Sequence, residues 1–200
     1  MSNLYKYGFW LVLLAIFTLF NVYRITKENF NKEKDVLIRL NEKRVEDLIT
    51  SCIVRNRKIK AQINGKNILT KEISKNLLKD KSIVILLSDF ECSKCQEMEL
   101  KRLDSLKNIL NPYGIFVVGI TIKSKKDITI RQRKIANIKL PIYWVDNKTF
   151  FNKLSFSDKF PQILYIADSI IVSAFIPLAQ DNEFSNKYYK KLIPFIIKHN

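Results

Sequence analysis

Histidine occurs once in the 200 residues, as His199, and cysteine three times, as Cys52, Cys92 and Cys95. A structural zinc site asks for four ligands, mostly Cys and His. Beside a Cys92–Cys95 pair the chain offers only Cys52 and His199, so half a zinc or copper site is the weaker reading of that pair. Three thiols allow one internal disulfide and leave one over, which excludes a disulfide-framework domain. Gly, with 4 residues, and Ala are scarce while Ile, Asn and Lys abound, a bias of composition. Acidic residues are short as well: 19 Asp and Glu against 35 Lys and Arg leave a formal charge of +16. The basic residues are scattered through every segment, so the excess reads as solvated surface, with an anionic partner as the other reading. No helix-turn-helix, zinc finger or aromatic-basic RNA motif occurs, and no nucleic acid is expected as a partner.

The N-terminal region has one long apolar run. Phe9 to Phe20 is apolar apart from Thr18, and Gly8 to Tyr23 extends it across only Asn21. Tyr5, Tyr7, Trp10 and Tyr23 flank it in the manner of an interfacial aromatic belt. A spanning helix takes about 20 residues and a signal-peptide core about 7–15. Leu19 to Arg24 holds no small-x-small cleavage site, and no lipobox Cys follows. Residues 8–23 are therefore expected to contact the lipid bilayer as an uncleaved anchor, a cleaved signal peptide being the alternative. From Lys27 to Ser51 the apolar residues Val36, Leu37, Leu40, Val45, Leu48 and Ile49 recur at helical spacing in a charged background. This predicts an amphipathic stalk; a coiled coil is the alternative, with only about two heptads to support it.

The stretch from Ser82 to Leu103 carries the chemistry. Ile83 to Leu87 is a continuous, β-branched-rich apolar run, the pattern of a strand buried on both faces. Ser88 to Glu91 form a polar turn, and from Cys92 onward Cys95, Met98, Leu103, Leu106 and Leu110 recur as on a helix. Cys92-Ser93-Lys94-Cys95 thus sits where a buried strand hands over to a helix. Unpaired N–H groups and the helix dipole favour an anion there. Lys94 adds a cation beside Cys92, and Glu91 opposes it. Thiolate is the attacking species in disulfide exchange, and Cys95 lies one turn away. The pair is built for two-electron dithiol chemistry, against the alternatives of a metal site and an inert pair.

Over roughly Lys81 to Phe195 this order of elements resembles the thioredoxin superfamily, in its membrane-tethered TlpA-like and redoxin branch. The family's usual Trp before the first Cys is Glu91 here, and its frequent Pro before the second is Lys94. Those departures bear on redox potential and partner choice. The resemblance implies that Phe160-Pro161 is a cis peptide facing the dithiol and holding the partner chain; the bland reading of Pro161 is a strand start. TlpA-like proteins often carry a Glu three residues after the second Cys. Met98 stands there, flanked by Glu97 and Glu99. Glu99, on the cysteines' face of the helix, is a candidate proton carrier for the buried thiol, with a solvated helix face as the other reading. Cys52 is expected to be a small buried or interfacial residue.

The remaining pattern alternates strands and helices. Arg57 to Leu69 with Asn64-Gly65 predicts a hairpin turning at that dipeptide, and Lys71 to Leu78 a short helical turn. Asn111 to Gly114 ends the motif helix. Strands follow at 115–122 and 140–145, helices at 125–137 and after Asp146-Asn147. An antiparallel pair at 162–167 and 170–176 precedes a last helix, Phe184 to Lys198, interrupted by Pro194. This predicts an α/β thioredoxin-like fold, a central mixed β-sheet flanked by helices, with an N-terminal transmembrane helix. The expected domains are an anchor at 1–26, a stalk at 27–56 and the thioredoxin-like domain at 57–200.

The function expected from this is that of a membrane-tethered thiol–disulfide oxidoreductase. Cys92, Cys95 and Glu99 would be catalytic, and Lys94, Phe160 and Pro161 would bind substrate. No dissociable cofactor or metal is expected; the partners are protein thiols or disulfides and a recycling redox protein. A count of positive charges around the anchor puts the domain in the cytoplasm, whereas the resemblance puts it outside, which is the expectation adopted for this single-pass protein. The rival classes are a peroxide-reducing redoxin, whose usual Thr is poorly matched by Ser88, and a non-enzymatic binding module at the membrane.

Overall fold

Residues 2–53 contain no Pro and a single Gly, Gly8, so nothing in them breaks a helix. In the structure, a computed structural model that describes residues 2–59, 62–88, 93–179 and 181–199, they form one helix, α1 (Ser2–Ile53). The chain divides into two compact units, Met1–Val45 and Glu46–Asn200. In the first, α1 is long and apolar enough to cross a membrane, with a window of mean hydropathy 1.7. Trp10, Leu11, Phe17 and Leu19 on it are about two-thirds exposed, as an anchor's side chains are before lipid covers them.

The second unit is built on a mixed sheet of seven strands in the order β2-β1-β5-β4-β3-β6-β7. These are β1 (Gly65–Asn67), β2 (Ile73–Ser74), β3 (Lys81–Leu87), β4 (Phe116–Ile122), β5 (Ile142–Val145), β6 (Gln162–Ala167) and β7 (Ile170–Phe175). The apolar run of β3 takes the centre. It pairs parallel with β4, Ser82 opposite Phe116 through Leu87 opposite Thr121, and antiparallel with β6, Lys81 opposite Ala167 through Leu86 opposite Gln162. Alternation sends its side chains to both faces. Ile83, Ile85 and Leu87 pack with Leu100 and Leu103 of α2 (Ser93–Leu110) and with Leu192 and Ile196 of α5 (Asn182–Lys198). Val84 and Leu86 pack with Ile63, Leu77, Phe150 and Leu154. Burial of each such side chain is worth roughly 1.5–3 kcal/mol. Between β4 and β5 lies α3 (Lys126–Ile135). After β5, Asp146 caps the short α4 (Asn147–Thr149), accepting from Thr149 N at 2.8 Å, and a π-turn at Phe150–Leu154 continues it.

Both edge strands of the sheet present little free main chain. Residues 56–59 run along the outside of β7: Asn56 N donates to Ile171 O (2.8 Å), Ile171 N to Arg57 O (3.0 Å) and Ile59 N to Ser169 O (2.8 Å). At the other end, β2 is two residues long.

Several local expectations are corrected. The first hairpin does not turn at Asn64-Gly65: Gly65 opens β1, and the chain reverses between Asn67 and Ile73. Asn67 Oδ1 accepts from Leu69 N (2.9 Å) and Thr70 N (3.2 Å), so its side chain makes the turn. Gly65 is needed for close packing instead, since a Cβ there would run into Leu77 Cδ1 and lie 3.2 Å from Tyr143 Cβ. Lys71 to Leu78 is not a helical turn but contains β2. Pro194 does not interrupt α5, which runs through it; the acceptor its missing N–H abandons belongs to Lys190, on the exposed side, where water can serve it. Cys52 is not buried but exposed and free, since Ser51 before it and Val54 just after α1 turn inward; the interfacial reading is untouched by this.

Candidate functional site

β3 ends at Leu87, Ser88 beyond it is buried, and α2 begins at Ser93. The strand-to-helix handover is therefore where the sequence pattern sets it. Cys92 and Glu91 lie outside the described residues. In the first turn of α2, Lys94 is exposed and Cys95 half-buried. The orphan N–H groups and positive end of this helix lie in the turn that holds Lys94 and Cys95.

The Phe160–Pro161 peptide is cis. Because Leu86 pairs with Gln162, Phe160 and Pro161 come alongside the C-terminal end of β3. Phe160 is held there by rings: its centroid lies 5.7 Å from that of the fully buried Phe150 and 6.4 Å, edge-on, from that of Phe151.

The irregular segment ahead of Pro161 is held from beneath by one side chain. Gln162, wholly buried, donates through Nε2 to Ser157 O (2.7 Å) and Lys159 O (2.9 Å), and its Oε1 accepts from Phe156 N (3.1 Å). A second tie comes from the end of α1, where Lys159 Nζ meets Asp47 Oδ1 at 2.9 Å and Glu46 Oε2 at 3.1 Å. The hydrogen bond to Asp47, more than any other influence, raises the Lys159 amine above its ordinary value.

Beside Phe160 lies an open cleft of about 620 Å³, lined by Arg57, Ser88, Phe151, Phe156 and Asp158 among others. Arg57 Nη2 donates to Leu154 O (2.9 Å), and burial lowers its guanidinium from the ordinary value. It ties the chain after α1 to the end of the π-turn.

Glu99 corrects one of its two readings: it is not on a solvated face but 3 % exposed. Its carboxylate is held at both oxygens. Arg102 Nη1 pairs with Oε1, and Tyr189 Oη donates to Oε2 at 2.9 Å. Arg102 Nη2 also donates to Asn182 and, at 3.0 Å, to Asn186, joining α2 to α5. Burial first, and then the charge of Glu99, raise the Tyr189 phenol well above its ordinary value, so it remains a donor. Among the described residues, no group of three or more His, Cys, Asp and Glu stands close enough to hold a metal ion.

The structure thus brings Phe160 and Pro161 to the strand end that leads into the cysteine motif, and sets Glu99 one turn beyond Cys95. Sequence reasoning missed Gln162, Lys159 and Arg57. Gln162 left a trace, a polar residue opening an apolar strand run immediately after Pro161; the other two are single cations among 35 Lys and Arg.

No family model and no curated protein matches the sequence. Solved structures do match. The chain is similar to a protein described as a thiol:disulfide interchange protein DsbE from Chlorobium tepidum, with a TM-score of 0.56 and 6 % identity over 72 % of this chain and 97 % of that one. It is similar also to the thioredoxin domain of a thiol-disulfide oxidoreductase from Bacteroides vulgatus (TM-score 0.51, 13 % identity, 67 % of this chain and 96 % of that one). A thiol:disulfide interchange protein from a Bacteroides species matches at a TM-score of 0.50 and 16 % identity, over 65 % of this chain and 85 % of that one. The fold is thioredoxin-like. In this thioredoxin-like sheet, β3 is the strand that runs into the cysteine motif, and the cis Phe160–Pro161 peptide precedes the strand beside it.

Proposed function

We propose that the chain is a membrane-anchored thiol–disulfide oxidoreductase working through Cys92 and Cys95. The observation that carries this reading is the position of Cys95 in the first turn of α2, directly after β3, with the cis Phe160–Pro161 peptide alongside the same strand end. Two further points support it. Cys52 is free and exposed on α1, apart from the strand-to-helix handover where Cys95 lies. The similar folds belong to proteins described as thiol:disulfide interchange proteins or oxidoreductases.

In the reducing direction, the Cys92 thiolate attacks one sulfur of a substrate disulfide. A Cys92–substrate mixed disulfide forms, and the other substrate sulfur leaves as a thiolate that takes up a proton. Cys95 then loses its proton and attacks Cys92, the second substrate sulfur leaves as a thiol, and the pair is oxidised by two electrons. The reverse order oxidises a dithiol. A helix N-terminus and the Lys94 ammonium would act in favour of a thiolate at Cys92, and Glu91 against it. The backbone at Phe160-Pro161 is offered to the substrate chain. Glu99, the buried carboxylate one turn after Cys95, would receive the Cys95 proton. A recycling protein closes the cycle.

The test is a redox titration of the full-length chain in detergent micelles, in glutathione buffers, read by alkylation and mass. Cys92 and Cys95 should convert together in one two-electron transition between about −300 and −120 mV, with Cys52 alkylated throughout. If both thiols stay free across that range, the reading fails. We place the domain outside the cytoplasm. An impermeant maleimide applied to intact cells should then label the exposed Cys52; no labelling would place the domain inside.

A further inference from the structure

Asp47 is a carboxylate on the last turns of α1, only 2 % exposed, in a segment whose neighbours Glu46 and Leu48 face solvent. Burying a charge in this way is costly unless it is paired. Its partner is Lys159 Nζ, 2.9 Å from Oδ1, while Oδ2 is buried without a hydrogen bond among the described residues. The pair spans 112 positions of sequence. It joins α1 to the residue immediately before the cis Phe160–Pro161 peptide. Lys159 has no periodic structure to hold it, lying in the irregular segment between the π-turn and β6. Glu46, the other carboxylate on Lys159, is 65 % exposed at its side chain and contributes little of a fixed position.

We propose that Asp47 is a positioning residue for the substrate-binding turn: through Lys159 it holds the backbone of Phe160 in register to pair with a polypeptide substrate. The inference rests on the oxidoreductase reading above. Gln162 fixes the same turn from the sheet side through the carbonyls of Ser157 and Lys159. Asp47 fixes it from α1, so that Lys159 is tied at its main chain by one and at its side chain by the other. Asp47 is bonded to Lys159, and its removal is expected to act on polypeptide binding rather than on thiol chemistry.

The experiment uses the full-length chain in detergent micelles, reduced beforehand. Its single-turnover rate is measured against a peptide looped by a disulfide, over a range of concentrations, and against 5,5′-dithiobis-(2-nitrobenzoate), which needs no backbone pairing. Asp47→Asn and Lys159→Met should each raise the half-saturating peptide concentration about tenfold, which corresponds to about 1.4 kcal/mol. The limiting rate, the rate with the small disulfide and the reduction potential should stay within twofold. The double variant should be no worse than either single one, and Lys159→Arg should keep most of the wild-type affinity. Unchanged half-saturation in both single variants overturns the inference, as does an equal fall with peptide and small disulfide. Should Asp47→Asn fail to fold, Lys159→Met, whose amine end is half exposed, decides alone. A wild-type chain that reduces neither disulfide defeats the oxidoreductase reading itself, a result distinct from either of these.

Discussion

Tyr189 Oη donates a hydrogen bond of 2.9 Å to Glu99 Oε2, so the last helix of the chain is bonded to the turn of α2 that follows Cys95. The bond lies in the interior: Tyr189 is 5 % and Glu99 3 % exposed. Tyr189→Phe removes one of two partners from a buried carboxylate and should cost about 1.5–3 kcal/mol in urea unfolding. Glu99→Gln keeps an acceptor for Tyr189 but discharges the partner of Arg102. If Glu99 takes the Cys95 proton, Glu99→Gln should also flatten the pH–rate profile of the second, resolving step. A profile identical to that of the wild type would leave Glu99 with the structural role alone.

Gln162 makes three hydrogen bonds to the main chain of the segment before Pro161. Gln162→Leu keeps the bulk of the side chain and removes all three. Lys159 O and the Phe156 N–H then lose this partner, at about 1 kcal/mol or more each where water cannot reach them, while Ser157 O keeps Ser155 Oγ at 2.9 Å. The expected result is a destabilisation of about 2–3 kcal/mol and faster hydrogen exchange at the Phe156 amide, with exchange in β3 following only the global change. Unaltered exchange at Phe156 would show that the turn is held by other means.

Alkaline pH should loosen the turn. Asp47 raises the folded-state value of Lys159, so the tie adds stability that is fully present below the unfolded value, about 10.4. It is lost as pH rises from there through the raised value. The melting temperature of the wild type should exceed that of Lys159→Met by a constant margin from pH 6 to about pH 10 and converge with it above. A margin that persists at pH 12 would assign the effect to packing of the lysine stem.

What could be read in advance followed from periodicity. Ile83 to Leu87 reads as a buried strand, and the antiparallel pair expected at 162–167 and 170–176 around Asp168-Ser169 matches β6 and β7, the latter one residue shorter. The strand-to-helix handover around the cysteines was legible for the same reason. What could not be read came from contacts remote in sequence. Gly65 follows an Asn, which reads as a turn, but what crowds a side chain there is Leu77 together with Tyr143 Cβ and Trp144 O of β5, brought in by tertiary packing. Glu99 sits among charged residues, Glu97, Lys101 and Arg102, and looks solvated until α5 is laid over it. Asp47 is indistinguishable in sequence from Glu46. Only the fold decides which of the two faces inward.

A strand with a bare edge is a template on which other chains can add, and proteins must guard against it. Here the strip 56–59 pairs with Ser169 to Ile171 at the start of β7, Arg55 donates to Val172 O just beyond, and β2 at the opposite border offers two residues, too few to seed a ladder. The domain therefore gives a neighbouring copy little to grow on. Wherever copies of the domain meet at high concentration, that is a safeguard against fibrous self-assembly. It also restricts where an incoming extended chain finds unpaired main chain.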